Sequence, residues 1–264
     1  MPLVELPNSP HAGKVRPVEI YYRDVGEGQP LVFLHGGWGY VVYPITRQIK
    51  AFKNEFRFII PDRSGYGRST PLSGPMPMDF HQRAAEETLL VLDALGIKRA
   101  IFWGHSDGAV IAAKIGLQAP ERCERLLLEA FHLEPGKPGS RGFFKQLALH
   151  PEDVKERMQS LLIADHGERW KKVVQRNCRV WLKLAEQSGP EDDLFEGELC
   201  KLKAPVTFMH GNGDPRTEPG EMERVQKALP RAEMRFVETG RHSPHSERKS
   251  WEECNQILRK FLAG

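Results

Sequence analysis

Apolar residues fall into two alternating patterns along this chain. Short continuous runs, Val18 to Tyr22, Leu31 to Leu34, Phe56 to Ile60, Ala100 to Trp103, Arg125 to Leu128, Val206 to Met209 and Met234 to Val237, each predict a strand. Most lack an alternating polar residue, which marks strands buried on both faces, as in a mainly parallel sheet covered by helices. Between them, apolar residues recur every three or four positions. Phe80 to Leu95 carries Ala84, Ala85, Thr88, Leu89, Leu92 and Leu95 on one side and is closed by Gly96, and Met222 to Leu229 and Trp251 to Leu262 repeat the pattern. Strands alternating with helices predict the α/β class.

One stretch breaks the alternation. Residues 131 to 199 contain no strand pattern but two amphipathic helices, over Glu152 to Ala164 and Glu168 to Gln187. The second places Trp170, Val173, Val174, Asn177, Trp181 and Leu184 on one face. The loop Leu133 to Gly139 leads in and Ser188 to Asp193 leads out. The expected organisation is an α/β core over 1–130, a helical cap over 131–200 and the rest of the core over 201–264.

Composition narrows the partners. The formal charge is +3 over 264 residues, with both signs well mixed, so nothing calls for nucleic acid or an anionic membrane. The first thirteen residues carry three prolines and no basic segment followed by an apolar run, and no run is long enough to span a bilayer. Cys123, Cys178, Cys200 and Cys254 lie far apart, without metal-ligand or disulfide spacing. A cytoplasmic protein, monomer or homodimer, acting on a small molecule is expected.

Chemistry concentrates at Gly104-His105-Ser106-Asp107-Gly108, between the strand ending at Trp103 and a helical run from Ala109. A serine on such a turn is pushed into unfavourable backbone angles, and the flanking glycines let strand and helix pack closely. A hydroxyl nucleophile requires a base, an orienting acid and an oxyanion hole. Asp214 follows one strand and His242 another, which gives the order Ser106, Asp214, His242. Glu129 is the alternative acid and His245 the alternative base. For the oxyanion hole, Gly37 or Trp38, in His35-Gly36-Gly37-Trp38-Gly39, supplies one N–H and Asp107 the other.

On these motifs, together with Asp62 to Ser69, Gly211 to Asp214 and Gly240-Arg241-His242, the chain resembles the α/β-hydrolase family over nearly its whole length. The resemblance implies an eight-stranded, mostly parallel sheet with a lid after strand six. Arg241 departs from the pattern, where the family often has a small residue. The Ser106-Asp107-Gly108 step and the aromatic helix face are similar to the valacyclovir-hydrolase-like branch, which implies α-amino-acid esters with the ammonium held by Asp107. The other direction for this carboxylate is back toward its own helix N-terminus, where negative charge is favourable. Trp38, Trp170 and Trp181 are candidate substrate contacts, with Phe143 and Phe144 as further aromatics.

The resulting expectation is a serine esterase that cleaves a small ester through an acyl-enzyme, without metal or organic cofactor. The same triad also serves carbon–carbon hydrolases, lactonases and perhydrolases. A reading of another class is a slow-turnover ligand sensor on the same scaffold.

Overall fold

The computed structural model describes residues 2–11 and 17–264. Met1, Ala12 and Gly13, part of the stretch read for a leader, lie outside them. The eight strands are β1 (Leu3–Leu6), β2 (Val18–Val25), β3 (Gln29–Leu34), β4 (Phe56–Pro61), β5 (Ala100–His105), β6 (Cys123–Glu129), β7 (Val206–Gly211) and β8 (Glu233–Val237). They form one sheet in the order β1-β2-β4-β3-β5-β6-β7-β8. β2 is antiparallel to both neighbours, and every pairing from β4 to β8 is parallel. The seven strands read from apolar runs are present. β1 escaped because four residues between Pro2 and Pro7, only one of them buried, are too short to show a period.

Alternate residues of the central strands feed opposite faces. Val32, Leu34, Phe102, Leu126 and Leu128 pack under α2 (Phe80–Ala94) and α3 (Asp107–Gln118). Leu31, Phe33, Ile101, Trp103 and Leu127 pack on the other face, against α8 (Trp251–Ala263) and α1 (Thr46–Phe52). β3 has β4 on one side and β5 on the other, so the chain reverses its winding there. The loops at the carboxyl ends of these strands diverge and leave a crevice. α7 (Glu221–Ala228) precedes β8.

Between β6 and β7 the chain makes three helices, α4 (Arg141–Leu149), α5 (Glu156–His166) and α6 (Trp170–Gln187). α4 was not anticipated; its buried side chains are Phe144, Leu147 and Ala148. The helix expected from Glu152 starts later, because Pro151–Asp153 forms a 3-10 turn and Val154 is extended. Trp38, Phe144, Leu147, Leu162, Val174 and Trp181 bury one another in a cluster that joins these helices to the core. Among the described residues, no helix is long and apolar enough to cross a membrane.

Candidate functional site

Ser106 joins β5 to α3 with φ 55° and ψ −122°, in the left-handed region that non-glycine residues avoid. Such a conformation costs on the order of 1–3 kcal/mol and persists only where its surroundings over-determine it. Here β5 is hydrogen-bonded on both sides, by β3 and β6, and Ser106 N–H donates to Glu129 O at 2.9 Å. A Cβ at Gly104 would collide with Gly108 O, and one at Gly108 with Leu34 O, so both glycines answer a close approach of backbones.

The serine hydroxyl meets two imidazoles. His242 Nε2 lies 3.1 Å from Ser106 Oγ, and His242 Nδ1 lies 3.0 and 2.9 Å from the two oxygens of Asp214. Burial opposes ionisation of Asp214. His242 beside it and the Arg216 N–H at 2.9 Å overcome that and hold the carboxyl well below its ordinary range. The second imidazole was missed in the sequence: His132 Nε2 is 3.3 Å from Ser106 Oγ. It stands three residues past the end of β6, a position that could have flagged it. Burial and then the charge of Lys137 hold His132 well below the usual histidine range, and its Nδ1 has no partner. A neutral ring without an orienting carboxylate is the weaker base of the two.

Glu129 and His245, the alternatives to Asp214 and His242, pair with each other. His245 Nδ1 sits 2.7 Å from Glu129 Oε1, and Trp103 Nε1 donates to Glu129 Oε2 at 3.0 Å. His105 completes a group whose ligand-type atoms lie within 4.8 Å of one another. His105 Nε2 is 2.9 Å from His242 O and from Ser243 Oγ, and His245 Nε2 is 3.1 Å from Tyr43 O, whereas His105 Nδ1 is buried without a partner. His245 and Glu129 form a buried pair beneath the loop that carries His242.

A model described as alpha/beta hydrolase fold matches residues 29–176, more than half of the chain. The chain belongs to this family. Its curated relatives are distant. Serine hydrolase BPHL of Mus musculus is 22% identical over 257 residues, covering 94% of this chain and 84% of that protein. AB hydrolase superfamily protein YisY of Bacillus subtilis is 25% identical over 269 residues, covering 92% and 95%. A thermophilic esterase from Thermogutta terrifontis superposes with a TM-score of 0.73 at 21% identity, over 100% of this chain and 98% of that one. An epoxide hydrolase from Bacillus megaterium reaches 0.72 at 19%, over 94% and 98%. Esterase and epoxide hydrolase fit alike, so the structural likeness speaks for the fold alone.

Of the remaining residues expected at the site, several gather around Ser106. Gly37, Trp38 and Asp107 line the same cavity as the serine. Asp107 is the first residue of α3, so the helix offers its N–H no internal acceptor. The loop carrying Gly37 is braced from below by Arg63, which donates to the carbonyls of His35 and Gly36.

The Asp107 carboxylate, at the cavity, is engaged by protein donors. Oδ2 accepts from Asn177 Nδ2 at 2.8 Å, and Oδ1 from Trp181 Nε1 at 3.0 Å and His81 Nε2 at 3.4 Å. Burial pushes this carboxyl up, but the His81 hydrogen bond and charge, Arg63 and Asn177 prevail and leave it below its ordinary range. Asp107 thus ties the helix that follows Ser106 to α6. Trp38 and Trp181 line the cavity, whereas Trp170 does not, which corrects its expected place among the substrate contacts. It shares a helix face with Asn177 and Trp181 but precedes them by roughly two and three turns, about 10 and 16 Å of axial rise. That offset leaves it in the packing between helices.

Proposed function

We propose that this α/β-hydrolase cleaves a carboxylic ester of a small substrate through an acyl-enzyme. The observation that carries the reading is the continuous chain from Ser106 Oγ through His242 to Asp214, at 3.1 and 2.9 Å, on a strained elbow. His242 removes the proton as Ser106 attacks, and Asp214 orients the ring and stabilises the imidazolium. The N–H groups of Asp107 and of Gly37 or Trp38 hold the tetrahedral oxyanion. The imidazolium then protonates the leaving alcohol, and His242 activates water for deacylation. The reaction so described uses no metal or organic cofactor.

The helices α4 to α6 act as a cap. The cavity over Ser106 measures about 20 Å³, room for one or two waters, so an ester enters when the cap shifts. The bonds from Asn177, Trp181 and His81 support a clamping role for Asp107 ahead of pairing with a substrate ammonium.

The test is multiple turnover of p-nitrophenyl butyrate, with Ser106→Ala expected to lower kcat by about 10⁴- to 10⁶-fold. An unchanged rate in the variant would remove the serine from the mechanism. One equivalent of nitrophenol followed by silence would favour the sensor reading.

A further inference from the structure

We infer that the cavity over Ser106 selects esters that carry a second, anionic group of carboxylate type, with Arg216 as the specificity-determining residue. This rests on the ester-hydrolase reading and adds the substrate class. Arg216 lines the cavity, two residues after Asp214. Its backbone is held from both sides: N–H to Asp214 Oδ1 at 2.9 Å, and the carbonyl accepting from Lys137 Nζ at 3.1 Å. Its guanidinium carbon stands 4.5 Å from the Phe143 ring centre and 5.3 Å from that of Trp38. No carboxylate pairs with it among the described residues.

Among the described residues the guanidinium N–H groups make no hydrogen bond, so the fork is available to a planar, bidentate acceptor such as a carboxylate. The other charged groups around the cavity already have their hydrogen-bonding partners. Lys137 is bound by Glu221 at 2.5 and 2.6 Å, and Asp107 is held by His81, Asn177 and Trp181. The charged group left with open donors is Arg216. Four further lining atoms, Trp38 Nε1, Ser140 Oγ, His105 Nδ1 and His132 Nδ1, are buried without hydrogen-bond partners, and of these the indole N–H of Trp38 can only donate. Buried polar atoms are nearly always satisfied, and an orphaned indole N–H beside an unpaired guanidinium marks where a ligand's acceptors go.

The experiment compares kcat/KM for monomethyl glutarate, charged on its acyl side, and butyryl glycolate, charged on its alcohol side, with their neutral methyl-ester twins, by pH-stat. In the wild type at least one charged ester is expected to exceed its neutral twin by roughly tenfold or more. That ratio falls to about one in Arg216→Gln and is partly restored in Arg216→Lys, which keeps the charge without the fork. Equal ratios in wild type and Arg216→Gln overturn the proposal while leaving the ester reading intact, as does a wild-type preference for neutral esters. If no ester turns over, calorimetric binding of glutarate to the wild type and not to Arg216→Gln keeps the anion subsite and removes the ester reading. Absence of both defeats the two together.

Discussion

Two histidine–carboxylate pairs stand side by side on the loop after β8. His242 binds Asp214 at 2.9 Å, and His245, three residues later, binds Glu129 at 2.7 Å. What differs is the partner of the other ring nitrogen. His242 Nε2 meets the Ser106 hydroxyl, which can give up a proton; His245 Nε2 meets the Tyr43 carbonyl, which can only accept one. Burial lowers the affinity of His245 for a proton, but Glu129 and the Tyr43 carbonyl outweigh it and raise its pKa above 6.5. With acceptors on both nitrogens, His245 is held as an imidazolium. The same pair of residue types thus faces a proton donor in one place and only acceptors in the other.

Substitutions should separate the two pairs. The largest effect is expected from His242→Gln: kcat for ester hydrolysis drops about 10⁴-fold while the urea midpoint stays close to wild type. A variant that keeps its rate would move the base elsewhere, to His132 first. Next comes Glu129→Ala, which strands a fully buried histidine and should cost about 3–5 kcal/mol of unfolding free energy. Activity per folded molecule should stay within about tenfold. A loss below about 1 kcal/mol would mean that the second pair is not a strut.

The smallest effect is a pH dependence. Glu129 has a lowered pKa: burial raises it, but the charge and hydrogen bond of His245 prevail. Its contribution is present above the unfolded value of 4.5 and is lost as pH falls through the lower folded value. His245 has a raised pKa, so its contribution is complete below 6.5 and is lost as pH rises through the folded value. The stability gap between wild type and Glu129→Ala should therefore be widest near about pH 5–6 and narrow above about pH 7. A gap that stays flat to pH 9 in urea titrations would show that His245 is neutral in the folded protein.

Much of the architecture was legible in local pattern because strands buried on both faces write continuous apolar runs. The loops that end those strands were legible too, which is how Ser106, Asp214 and His242 could be listed in order before any geometry. Side-chain direction across the chain was not. Glu129 and His245 were each weighed as triad alternatives, and nothing in a linear sequence says that residues 116 positions apart satisfy each other. Trp170 and Trp181 carry the same helical signal, and only the height of α6 over the sheet separates packing from cavity lining. The three donors on Asp107 come from α2 and α6, elements whose mutual placement has no local signature.

Asp107 has one more consequence. Its backbone begins the helix that follows Ser106, and its side chain is fastened to Asn177 and Trp181 of α6. If α6 lifted, both bonds would break and only His81 of α2 would still hold the carboxylate. On the proposed ester mechanism, less-compensated negative charge would then lie beside the forming oxyanion, so the chemistry would be tuned to the seating of that helix.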